Sequence, residues 1–168
     1  VAQRGGDPLR ETLNLVPARD GRSCHQDDEG DYWRAYLFIE GTISYDKVES
    51  EQDLYHSARA FGRFQQFLAD YPAETLHETI PDFHNTPDRM FKFREALEKD
   101  RCGRAKDVRK EIEFVLRHEE DTHRLVDLQK AGKLPLRVTH NDTKLNNVLI
   151  DKNTGEGICV VDLDTVMP

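Results

Sequence analysis

The chain has few residues that could tie it together by covalent or metal cross-links. Three of its 168 residues are cysteines, Cys24, Cys102 and Cys159, odd in number and far apart. They give neither a disulfide framework nor a zinc spacing. Cys159, set in an apolar stretch, reads as a small buried filler. No apolar run approaches the length of a membrane span, and no basic-then-apolar leader opens the chain. A cytoplasmic protein with no membrane partner is expected. Basic excess is lacking as well: the formal charge is −8 and the pI about 5.4. That argues against an electrostatic nucleic-acid binder, which presents a basic face. It leaves room for a phosphorylated ligand, because local Lys, Arg or magnesium can neutralise phosphates within an acidic protein. Glycine is thin where it would matter most, since Gly5-Gly6 is too little to form a phosphate-cradling loop. With 37% hydrophobic and 33% charged residues, the chain can build one domain core.

What the sequence does contain is concentrated near its end. His140-Asn141-Asp142-Thr143-Lys144-Leu145-Asn146-Asn147 is followed, after an apolar segment and a turn, by Val160-Val161-Asp162-Leu163-Asp164. In kinase-type sites an Asp orients the attacking hydroxyl and accepts its proton, and an Asn five residues later binds magnesium. A second Asp, delivered by the next hairpin, binds the ion from the other side. Asp142, Asn147 and Asp162 fill those places, so ATP and Mg2+ are the expected cofactors. Lys144, two residues after the base, sits where many protein kinases carry a Lys, and its ammonium can offset phosphoryl charge. Asp164 is a further metal candidate, because acids two apart on an extended segment face one side; the alternative is a cap on the following turn.

The bland reading is an ordinary loop, because Asn-Asp clusters make Asx turns and an Asp at a strand end often caps a helix. The surrounding order favours chemistry. Leu136 to Thr139 enters, Val148 to Ile150 leaves, Asp151 to Gly157 turns, and Ile158 to Val161 delivers Asp162. Asn141-Asp142-Thr143 also matches a glycosylation acceptor. The cytoplasmic reading sets that match aside.

Upstream, Arg22 to His25, a polar turn, and Tyr32 to Ile39 predict a β-hairpin with one long aromatic-rich strand. Chain order makes Phe38, Ile39, Glu40 and Gly41 the candidate hinge, whose backbone pairs with adenine. Ser50 and Asp53 predict a capped helix with Leu54, Ala58, Phe61, Phe64, Leu68 and Tyr71 inward, ending before Pro72. Thr86 as cap and Pro87 at the first helical position predict a second helix, and a long helix is expected from Arg104 to Lys130, stopping at Gly132. His118 and His123 are five apart, not the four a metalloprotease helix needs. His84 and Asn85, in a turn-rich connector, are candidate substrate contacts; a capped helix start is the competing reading.

The wording of these motifs resembles the aminoglycoside phosphotransferase and choline kinase-like superfamily, and within it the N-acetylhexosamine 1-kinases. The resemblance rests on His140 to Leu149, on Val160 to Pro168, and on Phe83-His84-Asn85-Thr86-Pro87 with Tyr32-Trp33-Arg34. It implies an α+β, protein kinase-like bilobal fold, with residues 1–41 as a remnant of the small lobe and hinge and 42–168 as the first part of the mainly helical large lobe. It also implies ATP, magnesium and a sugar phosphorylated at its anomeric hydroxyl. Asp142 is then the base, and Asn147 and Asp162 are the metal ligands. The start at Val1 and the stop at Pro168 suggest an internal piece, inactive alone. A kinase-like binding module without chemistry, a kinase for an aminoglycoside or choline-like acceptor, and a phosphohydrolase using Asp142, Asp162 and Asp164 are the rival readings.

Overall fold

The aromatic and branched residues at 32–39 do not form the single long strand their composition predicts. The computed structural model describes residues 1–168, the side chain of Arg4 excepted. In it β1 (Leu15–Val16) pairs antiparallel with β4 (Ala35–Tyr36), while β2 (His25–Gln26) pairs antiparallel with β3 (Tyr32–Trp33). The expected hairpin is therefore present but splits at Arg34, where the chain changes partner. Two short ladders replace one long one.

The chain forms two compact units, Val1–Pro72 with Val138–Met167, and Ala73–Arg137. The first holds a three-stranded antiparallel sheet in the order β5 (Thr42–Ile43), β6 (Val148–Asp151), β7 (Gly157–Val160). Thr42 lies opposite Asp151 and Val148 opposite Val160, with a register shift at Leu149/Ile150. The turn between β6 and β7 closes because Asp151 Oδ1 accepts from the amides of Asn153 (2.9 Å) and Thr154 (3.1 Å), an Asx turn.

A one-turn helix, α1 (Pro8–Glu11), precedes β1, and helix α2 (Glu51–Phe67) covers this sheet. It starts as predicted: Ser50 Oγ accepts from Asp53 N at 3.3 Å, and Asp53 Oδ2 accepts from Ser50 N at 2.8 Å, a reciprocal cap. Its inward face matches the prediction only in part: Phe61 is buried and Phe64 packs on the core as expected. Leu54 is 51% exposed, whereas Ser57, Ala60 and Phe61 are buried. The reason is close approach. A Cβ placed on Gly157 would lie 2.7 Å from the His56 carbonyl oxygen and 3.0 Å from the Ala60 Cβ, so only small side chains fit where helix and strand meet. Ala60, Phe61, Val148, Ile150 and Val160 form the core, with Tyr45 and Phe64 packed on it.

In the second unit α3 (Thr86–Lys99) begins one residue earlier than predicted, with Asn85 as the cap and Pro87 in the first turn. The expected long helix is interrupted. It becomes a 3₁₀ turn (Ala105–Val108), α4 (Arg109–Arg117), a second 3₁₀ turn (Glu119–His123) and α5 (Arg124–Lys130). Local side chains compete with the helical ladder at the break: His118 Nδ1 bonds Asp121 Oδ2 at 2.8 Å and Thr122 Oγ1 donates to Glu119 O at 2.6 Å. Gly132, at φ 69°, ends α5, as predicted.

Candidate active site

Apolar packing fixes His140, and His140 fixes the loop that follows it. Its ring is 1% exposed and meets Phe61 and Phe64 edge-on, at centroid distances of 5.2 and 5.7 Å. Nε2 lies 2.9 Å from the Val161 carbonyl, and Nδ1 receives the Asp142 amide at 3.3 Å. A carbonyl can only accept and an amide can only donate, so the ring is the neutral Nε2–H tautomer. A buried neutral imidazole thus ties the Asp142 loop to the end of β7.

Asn141 sits in the left-handed region at φ 66°, which Asn tolerates better than most residues. Its Nδ2 donates to the Thr139 and Thr165 carbonyls, at 3.3 and 3.1 Å. Thr165 Oγ1 returns a bond to the His140 carbonyl at 2.6 Å, and Thr139 bridges Met167. The segment after Asp162 is thereby bound to the segment before Asp142. Sequence reasoning missed Asn141 and Thr165 as tethers; their one signal was lying beside the candidate acids.

Asp142 and Asn147 come together as their spacing predicts. A 3₁₀ turn (Leu145–Asn147) brings the Asn147 amide back onto the loop. Its Nδ2 donates to the Asp142 backbone carbonyl at 2.9 Å and to Oδ2 at 3.1 Å, and Asn147 is 3% exposed. That use of Nδ2 turns the amide oxygen into the group free for a hard cation. Lys144 Nζ lies 2.8 Å from Asp142 Oδ2 and 3.8 Å from Asp162 Oδ2. Three charged groups share one patch. The Lys144 hydrogen bond, helped by that of Asn147 and opposed by partial burial, holds the Asp142 carboxyl below its ordinary range. The same bond raises Lys144.

Asp162 adopts φ 60° and ψ 59°, a left-handed conformation that Asp, like Asn, enters more readily than most residues. Leu163–Thr165 then form a 3₁₀ turn, so the extended geometry that would aim Asp162 and Asp164 to one side is not present. Asp164 instead forms an ion pair with Arg34. Among the described residues, no group of three or more His, Cys, Asp or Glu side chains could hold a metal ion. Magnesium needs less. It keeps several waters and takes one or two carboxylates plus phosphate oxygens, a donor set that Asp162 and the Asn147 amide oxygen fit in kind.

The expected hinge residues divide. Ile39 is 5% exposed and Phe38 85% exposed. The Glu40 carbonyl accepts from Arg10 Nη1 at 3.0 Å, and the Ile39 carbonyl from Thr42 Oγ1 at 2.7 Å. Gly41, at φ 71°, makes the turn into β5. His84 and Asn85 lie in the second unit. Asn85 Oδ1 accepts from Asp88 N at 3.2 Å, the capping role, and His84 packs its ring 4.7 Å from Phe83. No helix is long and apolar enough to cross a membrane among the described residues. Compared with known families, residues 14–168 match the model of a phosphotransferase enzyme family.

Proposed function

The chain belongs to the phosphotransferase enzyme family, and from that membership we propose that it moves the γ-phosphoryl group of ATP to a sugar hydroxyl. The acceptor we assign is the anomeric hydroxyl of an N-acetylhexosamine, on the motif wording at His140 to Leu149 and Val160 to Pro168. One observation carries the chemistry: the Asn147 amide holds Asp142 in place while Lys144 spans Asp142 and Asp162.

In this reading Asp142 Oδ orients the acceptor hydroxyl and takes its proton as the oxygen bonds to the γ-phosphorus. The bond to the bridging oxygen breaks, and ADP leaves with the electron pair. A depressed carboxyl is a weak base, so Asp142 works mainly by aiming the hydroxyl. That suits a loose transition state, in which positioning and charge stabilisation supply most of the rate. Lys144 moves its ammonium from carboxylate to phosphoryl oxygen as charge develops there. Asp162 and the Asn147 amide oxygen would hold magnesium, which would supply charge neutralisation at the phosphate oxygens.

The test is an ATP-consumption screen over N-acetylhexosamines, simple hexoses, choline and aminoglycosides. Consumption with an N-acetylhexosamine is expected. Consumption only with choline or an aminoglycoside overturns the sugar assignment, and phosphate release without any acceptor overturns the transferase reading. Asp142→Ala is expected to lower turnover by about 10²-fold or more while nucleotide still binds in calorimetry. Retained turnover sinks Asp142 as the base.

A further inference from the structure

The segment that carries Asp162 is fixed at its far end by the catalytic loop, through Thr165 to the His140 carbonyl and Asn141 to the Thr165 carbonyl. At Asp164 it is met by Arg34, from the other end of the sequence. Arg34 falls between β3 and β4, in neither ladder. Its guanidinium lies 5.9 Å over the Tyr36 ring, so a cation–π contact orients it before it pairs. A guanidinium presents a planar fork of donors suited to a carboxylate, which a flexible ammonium does not. Asp162 meanwhile turns the chain through a left-handed backbone, so the direction of its side chain depends on how the 162–165 turn is held.

We propose that Arg34 is a positioning residue that acts through Asp164, clipping the 162–165 turn to the β3–β4 junction so that the Asp162 carboxylate stays aimed beside Asp142 and Lys144. Asp164 is then a tether, and its carboxylate is engaged by Arg34 instead of a second cation. The part Asp162 plays toward magnesium rests on the function proposed above. The tether itself is measured without it.

The experiment compares Arg34→Ala, Asp164→Asn, the double variant, and the swap of Arg34→Asp with Asp164→Arg. Amide hydrogen exchange over residues 162–166 reads the turn. Each single change is expected to speed exchange roughly two- to five-fold, the size of an exposed ion pair. The double variant should be no faster than either single one, and the swap should restore slow exchange. Titration with Mn2+ and ATP, followed by the electron paramagnetic resonance of free Mn2+, reads the aim of Asp162. Both single variants should weaken Mn2+ binding in the same direction, with partial recovery in the swap. Unchanged exchange in both single variants overturns the tether. So does tighter Mn2+ binding in Arg34→Ala beside weaker binding in Asp164→Asn, because Asp164 would then be a ligand for which Arg34 competes. If the parent binds no Mn2+ with ATP yet the exchange pattern holds, the tether stands and the kinase reading falls.

Discussion

Lys144 is the residue whose removal separates charge from geometry at the site. Its ammonium is the largest single reason the Asp142 carboxyl titrates low. Lys144→Ala removes that support for the charged form, so the Asp142 pKa should rise and the acid limb of kcat/KM should move to higher pH. Carbon-detected NMR of the Asp142 carboxyl checks the shift; an unmoved titration refutes the coupling. The sign for stability follows. A carboxyl depressed in the folded state stabilises the fold above its unfolded pKa and loses that contribution as pH falls through the folded value, so the parent should resist acid slightly better than the variant. At this scale the sequence was informative where chemistry is local: Asp142, Lys144 and Asn147 are close because one short loop carries them. Arg34 was invisible as a partner of Asp164 because 130 residues separate the two, and no spacing rule reaches that far. Thr86 was marked as the cap of α3, and the structure uses Asn85, one residue earlier.

Among the elements, the contact of α2 with β7 is the tightest constraint on the sheet that delivers Asp162. Gly157→Ala would drive a methyl group to 2.7 Å from the His56 carbonyl and 3.1 Å from Val148 Cγ1. Backbone cannot yield as a flexible side chain can, so a loss of about 1–3 kcal/mol is expected, read as a lower midpoint in urea unfolding at unchanged slope. No loss would mean that helix and strand separate freely. Caps and turns were readable here: Ser50 with Asp53, the Asp151 turn and the Gly132 stop all use short-range chemistry. The breaks were not. The strand at Arg34 changes partner according to what lies across the fold, and the helix at His118 gives way to local side-chain bonds that a count of apolar positions does not register. The inward face of α2 was right at Phe61 and Phe64 and wrong at Leu54. Hydrophobicity marked Leu54, but the close approach to Gly157 falls at Ala60.

Over the whole molecule, the three cysteines sample three environments, Cys24 half-buried, Cys102 exposed and Cys159 buried. Burial, with Glu11 nearby, pushes the Cys159 thiol up to about 11, so at neutral pH it is both hidden and protonated. Iodoacetamide should label Cys102 readily and spare Cys159 in the native protein, and reach both after denaturation, as peptide mass spectrometry can follow. Early labelling of Cys159 would mean that the sheet opens easily. The acidic balance of the chain told little about its site, where Lys144 and Arg34 sit among the acids. Chain order carries more. Ala73–Arg137 leaves and rejoins a unit that already contains every candidate base, metal ligand and tether. Such an excursion is one continuous insertion: the chain leaves after Pro72 and returns at Val138, and the bonds that join Asp142 to Asn147 and Thr165 to His140 all lie within the other unit.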